Sequence, residues 1–379
     1  MDFSKLTAYV DTLWSFDIPS FDLSVHYKQK EVYRRSFGFA DAQKQHPVTP
    51  QNMQWMYSMS KVITCTGVMR LIERGDLRLD DKVSDYLPEY GHLTVRKGDE
   101  IVPAQNTLLI RHLFSMRAGM NYDLDSPSLK KARENRNATT RELVAAMAKE
   151  PLDFEPGTKY QYSLAHDVLA AVAEVVTGKT FYEFLNEELF LPLGMKDIGY
   201  QPTEAQKKRF TQQYFYNMSE MAAKPGSMDC CYRLSDRYES GGAGLFCTVD
   251  EYMKLIDALA GGGTAANGYH VLNRETIDLM RTNQQAGTDG NGGFIKPGYG
   301  YGFGVRTMMD KKAGNSWGSL GEFGWDGAAS SYCMIDPDLE ISAMYAVHIM
   351  GFGASYNIIQ PNIRNYIYEG LGLAKKPEE

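Results

Sequence analysis

Apolar positions recur at two different spacings along this chain, and the change of spacing divides it into three parts. Near the N-terminus, residues 4–16 repeat at helical spacing, and the runs FDLSVHYK (21–28) and EVYRRSFGFA (31–40) read as strands. From Ser58 to about residue 200 the helical period dominates. It covers the stretch after Lys61, TLLIRHLFSM, TTRELVAAMAKE, AHDVLAAVAEVVTG and TFYEFLNEELFLPLG. The last two predict C-terminal glycine stops at Gly178 and Gly194. After a Tyr/Gly-rich loop, DEYMKLIDALAGGG predicts another helix. From about residue 299 strands return in GYGFGVRTMM, GAASSYCMIDP and EISAMYAVHIM, with Asp336-Pro337-Asp338 as the turn joining the last two. Residues 355–372 predict a closing helix. Strands at both ends around a helical middle imply a sheet assembled from the two termini. The expected division is a sheet subdomain of residues 1–57 and 201–379, and a mostly helical subdomain of 58–200, together one catalytic unit.

Composition narrows the class. With 379 residues, 43% of them hydrophobic, the chain has ample material for a core, and its formal charge of -7 argues against nucleic acid. The basic clusters Lys130-Lys131-Ala132-Arg133 and Lys207-Lys208-Arg209 read as solvated faces. No apolar run approaches a membrane span. The first residues, MDFSKLTAYVDTLW, lack the basic-then-apolar pattern of a secretory signal, so a cytoplasmic location is expected. Five cysteines without a C-x-x-C pair read as free thiols. Seven scattered histidines give metal catalysis no support, and no cofactor is expected.

Three stretches carry candidate chemistry. In WMYSMSKVITCTGVMRLIERGDL, Val62, Cys65, Val68, Met69 and Ile72 form the apolar face of a buried helix that stops at Gly75. Ser58 and Lys61 precede that face one turn apart, so hydroxyl and amine can meet. A lysine there is desolvated, becomes a better base and can take the serine proton. Ser60 is a poorer nucleophile, since adjacent residues do not face each other. A second S-x-x-K, Ser128 to Lys131, lies in a charged stretch where both side chains can be solvated. In FEPGTKYQYSLAHDVLAAVAEVVTG, Tyr162 precedes a helix; a nearby ammonium would favour its phenolate and let it shuttle protons, although a packed core aromatic is the simpler reading. His166 and Asp167 follow without an assigned role. In GEFGWDGAASSYCMIDP, glycines flank Trp325 and Asp326 before a strand, where another backbone or a ligand can approach closely. A G-x-S-x-G match at Ser316 lies in a polar loop before a strand rather than between strand and helix, and is set aside. Gly241, Gly242 and Gly244 could line a cleft, and the Tyr-rich segment 214–238 could wall it.

These stretches, in this order, resemble the serine β-lactamase and penicillin-binding protein superfamily, specifically its class C-like branch with the family VIII esterases. SMSKVITCTGVMRLIERGDLRLDDKVSDYLPEY, LIRHLFSMRAGMNY, FEPGTKYQYS, LFLPLGM, SGGAGLFCTVDEYMKL and GWDGAASSYCMIDP carry the resemblance over nearly the whole chain. It implies an α/β fold of the β-lactamase/DD-peptidase type, an antiparallel sheet flanked by helices. It implies that Ser58 is the acylated nucleophile, Lys61 its partner and Tyr162 the tyrosine of the Y-x-N motif. Trp325-Asp326-Gly327 would occupy the place of the K-T-G triad on the sheet edge, and the N–H groups of Ser58 and Ala328 would form the oxyanion hole. Two departures follow. Leu164 stands where an asparagine would bond an acylamide, and Trp325 stands where a lysine would help bind a substrate carboxylate. Both changes remove polar recognition, so Leu164, Trp325, Asp326 and Gly327 would line an apolar pocket suited to small uncharged esters.

The expectation is therefore a cofactor-free serine esterase. A β-lactamase or D-alanyl peptidase would use the same catalytic group on another substrate. An acyltransferase would pass the acyl group to an alcohol, and a binding protein would keep the fold without turnover.

Overall fold

The computed structural model describes residues 1–285 and 294–377. Seven strands form one antiparallel sheet: β1 (Ser20–Tyr27), β2 (Lys30–Gly38), β3 (Tyr299–Tyr301), β4 (Arg306–Met308), β5 (Phe323–Gly324), β6 (Tyr332–Asp336) and β7 (Ile341–Ala346). Their spatial order is β3-β4-β5-β6-β7-β1-β2, so the first and last parts of the chain meet at the β1–β7 ladder, where Leu23 faces Tyr345. The expected turn joins β6 to β7, with the Asp336 carboxylate accepting from the N–H groups of Asp338 and Leu339.

Strand periodicity explains how this sheet is buried on both faces. In β7, Ile341, Ala343 and Tyr345 point into one apolar cluster, and Met344 and Ala346 into another; β6 divides Tyr332 and Met334 from Cys333 and Ile335 in the same way. The first cluster is closed by two terminal helices, α1 (Ser4–Val10) and α5 (Gln360–Gly370), through Leu6, Val10, Ile363 and Ile367. On the other face lies α4 (Val249–Ala260), and there β1 presents polar side chains that are paired. Asp22 binds Arg34, and His26 Nδ1 lies 2.7 Å from Asp257 Oδ2. The second cluster continues without a break from α4 and the sheet into the helices of the chain's middle. Chief among those are α2 (Ser60–Arg74) and α3 (Ala165–Thr177). Both end at glycines in the left-handed region, Gly75 (φ 78°) and Gly178 (φ 70°), as the sequence predicts.

Several elements differ from the sequence reading. GYGFGVRTMM is two short strands, because the Gly302 N–H bonds back to Val305 O and reverses the chain. TLLIRHLFSM is helical only at Ile110–Phe114. TFYEFLNEELFLPLG is interrupted by a π-turn at Asn186–Phe190, just before Pro192, whose ring clashes with a regular helical carbonyl four residues back. Two small hairpins, Thr94–Lys97 with Glu100–Pro103 and Tyr214–Asn217 with Ala222–Pro225, carry no apolar alternation that would announce them. Among the described residues no helix is long and apolar enough to cross a membrane. All five cysteines are free.

Candidate active site

The chain enters α2 under strain. Tyr57 adopts a left-handed backbone (φ 47°), which a bulky residue holds only when its surroundings insist, at a cost of roughly 1–3 kcal/mol. Its ring is fully buried, its hydroxyl donates to Gln213 Oε1, and Tyr232 packs edge-on against it. A single 3₁₀ turn, Tyr57–Met59, then leads into the helix, so that Ser58 and Lys61 share one face at its start. Lys61 Nζ lies 3.2 Å from Ser58 Oγ and donates to the Gly242 carbonyl at 2.6 Å. Ser60 is spent structurally: its hydroxyl accepts the Leu245 N–H.

Lys61 is wholly buried, without a carboxylate at ion-pair distance among the described residues. Its Nζ sits over the Tyr162 ring, 4.6 Å from the centroid, and 3.4 Å from the Tyr122 hydroxyl. Burial pulls its pKa down to about 7, against the opposing charge of Asp167. Burial likewise pushes the Tyr162 phenol well above its ordinary range, while hydrogen bonds with Ser58 and Trp325 pull the other way. This corrects the expectation of an ammonium favouring a phenolate. Desolvation penalises both charged forms, so the resting pair is a phenol beside an amine whose neutral form is accessible near neutrality.

The sheet supplies the opposite wall. Beyond Gly324 the ladder to β4 stops, and Trp325-Asp326-Gly327 continues paired on the β6 side alone, through Cys333 N–H to Trp325 O and Gly327 N–H to Ser331 O. The stretch thus becomes a local edge inside the sheet order. A Cβ on Gly327 would lie 2.6 Å from the Met56 carbonyl, so only glycine lets this edge reach the strained approach to Ser58. The Trp325 indole N–H donates to Tyr162 OH at 3.2 Å, and the two rings stack with centroids 5.6 Å apart. Asp326 points elsewhere: its oxygens take Lys296 Nζ and Arg306 Nη1, both at 2.9 Å. Burial would raise its pKa, but those two cations hold it below the usual carboxylate range. Tyr356 OH bonds the carbonyls of Gly327 and Ala328. The N–H groups of Ala328 and Ser58 have no protein acceptor among the described residues. Leu164 is buried at the cap of α3, in the apolar cluster that also holds Tyr162 and Trp325.

Two residues at the site escape the sequence reading. Tyr122 stacks on Tyr162 (5.5 Å, 15°) and meets Tyr232 edge-on; its only signal in the sequence is its place at the end of LIRHLFSMRAGMNY. Asp167 is the other. It and His166 diverge, His166 Nε2 turning to Phe114 O at 3.2 Å, while Asp167 accepts Tyr238 OH and Ser240 Oγ, each at 2.6 Å. Of the rejected serines, Ser316 is buried and accepts the Gly318 N–H in its own loop, and Ser128 lies in an exposed helix whose Lys131 is solvated.

A Beta-lactamase family model matches residues 6–366. Esterase EstB of Burkholderia gladioli is 27% identical over 337 residues, covering 83% of this chain and 81% of its own. In fold, the chain resembles EstCE1, described as a hydrolase with promiscuous acyltransferase activity, with a TM-score of 0.80 and 24% identity over 97% of this chain and 98% of that one. It also resembles the simvastatin synthase LovD from Aspergillus terreus, with a TM-score of 0.77 and 20% identity over 98% of this chain and 100% of that one. The S-x-x-K helix, the tyrosine before α3 and the W-D-G edge all lie within the matched span, and the chain belongs to the Beta-lactamase family.

Proposed function

We propose that this protein is a serine esterase that cleaves small uncharged carboxylic esters through an acyl-enzyme on Ser58. The observation that carries this reading is a buried amine 3.2 Å from the Ser58 hydroxyl, facing a wall of aromatic rings. The two cations that contact the neighbouring strand, Lys296 and Arg306, are committed to Asp326, which leaves neither for a substrate carboxylate. The neutral Lys61 amine takes the Ser58 proton as Oγ attacks the ester carbonyl, and the N–H groups of Ser58 and Ala328 receive the oxyanion. The tetrahedral intermediate then collapses. The alcohol leaves with the proton returned from Lys61, while the Tyr162 hydroxyl hydrogen-bonds the reacting Ser58, and water, activated by the same amine, releases the acid. Trp325 orients Tyr162 through its indole N–H, while Gly327 lets the edge close on Ser58. Leu164 and Trp325 keep the surroundings apolar.

Intact-protein mass spectrometry after a fluorophosphonate, on wild type and Ser58→Ala, tests this together with a panel of p-nitrophenyl esters and a chromogenic cephalosporin. One adduct in wild type, none in the variant, and turnover confined to esters is the expected outcome. Comparable cephalosporin cleavage would favour a β-lactamase, and absence of both adduct and turnover a binding protein.

Acyl transfer is the second reading, supported by the likeness to EstCE1 and to simvastatin synthase. Adding a competing alcohol and quantifying the transester product separates it from hydrolysis.

A further inference from the structure

Next to Lys61, α3 and the loop before α4 build a polar device of their own. Asp167 is completely buried in the first turn of α3. Both hydroxyls it receives, from Tyr238 and Ser240, go to Oδ1, and Oδ2 has no hydrogen-bond partner. A buried carboxylate oxygen left unpaired costs free energy unless its charge is used nearby. What Oδ2 faces can be read from Gly242. A Cβ on that residue would lie 2.8 Å from Asp167 Oδ2, 3.3 Å from Lys61 Nζ and 3.4 Å from Tyr122 OH, so the three atoms converge on one glycine that no other residue can replace without a clash. The same loop links Asp167 to Lys61 through hydrogen bonds. Ser240 Oγ, while donating to Asp167, accepts the N–H groups of Gly242 and Ala243, and the Gly242 carbonyl receives Lys61 Nζ.

We infer that Asp167 is a positioning residue for the base: its carboxylate anchors the Ser240–Gly242 loop whose carbonyl aims Lys61, and its unpaired oxygen supplies the counter-charge for the ammonium that forms when Lys61 takes the serine proton. This rests on the esterase reading above. The other titratable groups around Lys61 do not supply that charge. Ser58 is a hydroxyl in the turn before its helix, and Cys65, on that helix, is kept a thiol by burial. Tyr122 and Tyr162 are kept phenols by burial, and His166, whose pKa burial and Lys61 lower to about 3, is a neutral imidazole. Asp167 is the carboxylate whose charge acts to raise the Lys61 pKa. A contact pair would hold the ammonium too firmly for a base. A counter-charge set behind a glycine steadies the ammonium without making it permanent.

The experiment is the pH profile of kcat/KM for p-nitrophenyl acetate, from pH 5 to 9, in wild type, Asp167→Asn and Asp167→Glu. Removing the charge is expected to move the acid limb down by about one unit, since a nearby opposite charge accounts for one to three. The plateau should fall roughly threefold to tenfold, because Lys61 becomes a weaker base. Asp167→Glu should return the limb toward wild type. A merely structural Asp167 would lower the plateau and leave the limb in place, and that result overturns the inference. If Asp167→Asn does not fold, Asp167→Ser, smaller and with room for a water, makes the same charge deletion and is read the same way. Fluorophosphonate labelling of Ser58 in wild type keeps the two readings apart: no labelling defeats the esterase assignment, whereas labelling with an unmoved limb defeats only the role of Asp167.

Discussion

Lys61 and Lys296 both carry an amine into the protein, and they are treated in opposite ways. Lys296 lies 2.9 Å from Asp326 and 3.0 Å from the Gln360 amide oxygen, over the ring of Tyr356. Lys61 has a backbone carbonyl, two hydroxyls and two aromatic faces. Burial lowers the pKa of both, but Asp326 opposes the fall at Lys296 from contact distance, while Lys61 drops to about 7. The same side chain is therefore a brace in one place and, in the proposed mechanism, a base in the other. What decides is whether a carboxylate touches the nitrogen.

The harshest way to break this comparison is to remove each amine. Lys61→Met should lower ester turnover about a thousandfold or more, as loss of the base from a catalytic unit does. Lys296→Met should leave kcat/KM within a few-fold and cost about 1–3 kcal/mol of stability, measured by urea unfolding, because Arg306 still holds Asp326. Similar losses of activity in both variants would end the distinction. Next in size is the pH dependence of wild type. In the proposed mechanism Lys61 works as the neutral amine, so kcat/KM should rise roughly tenfold per unit as pH climbs toward 7 and level off above it. A limb near pH 10 would mean that Lys61 keeps its charge as Lys296 does.

Smaller effects sharpen the picture. Trp325→Phe keeps the stacked ring and deletes the N–H to Tyr162, and should lower kcat about threefold to tenfold while KM stays near wild type. The comparison also extends to imidazoles. His166 and His348 are buried with backbone carbonyls for partners, and burial lowers their pKa values to about 3 and about 4. Between those values and 6.5 the unfolded chain binds protons that the folded chain refuses, so stability falls as pH falls through that window. Calorimetric Tm should decline from pH 6.5 to 4, and His348→Gln should flatten part of that decline.

Much of this was legible in the sequence, for a reason that also marks the limit. Ser58 and Lys61 are close because one helical turn makes them so, and Val62 to Met69 announce a buried helix by their spacing. Gly327 beside a strand signalled a close backbone approach, and the approaching segment proved to be Met56. Gly242 was legible only as a residue that could line a cleft, and the roles of Tyr122, Asp167 and Ser240 were not legible at all. They come from three distant segments, and local periodicity says nothing about which loops converge. The protonation of Tyr162 was misjudged for a related reason. A neighbouring amine was visible in the motif, but the burial that outweighs it belongs to the packed core. The short strands β3 and β4 were read as one because a single hydrogen bond from Gly302, rather than a change of hydrophobic pattern, reverses the chain there.

The β1–β7 ladder has a consequence for biosynthesis. Leu23 leaves the ribosome well before its partner Tyr345, with the whole helical middle of the chain made between them, so this ladder closes only after that middle is complete. Until then β1 has one unpaired edge, and the turn that carries Ser58, the proposed nucleophile, waits without its opposite wall. A truncation just after Ala328 would retain every proposed catalytic group, yet it would leave that edge open to other nascent chains, with aggregation as the outcome.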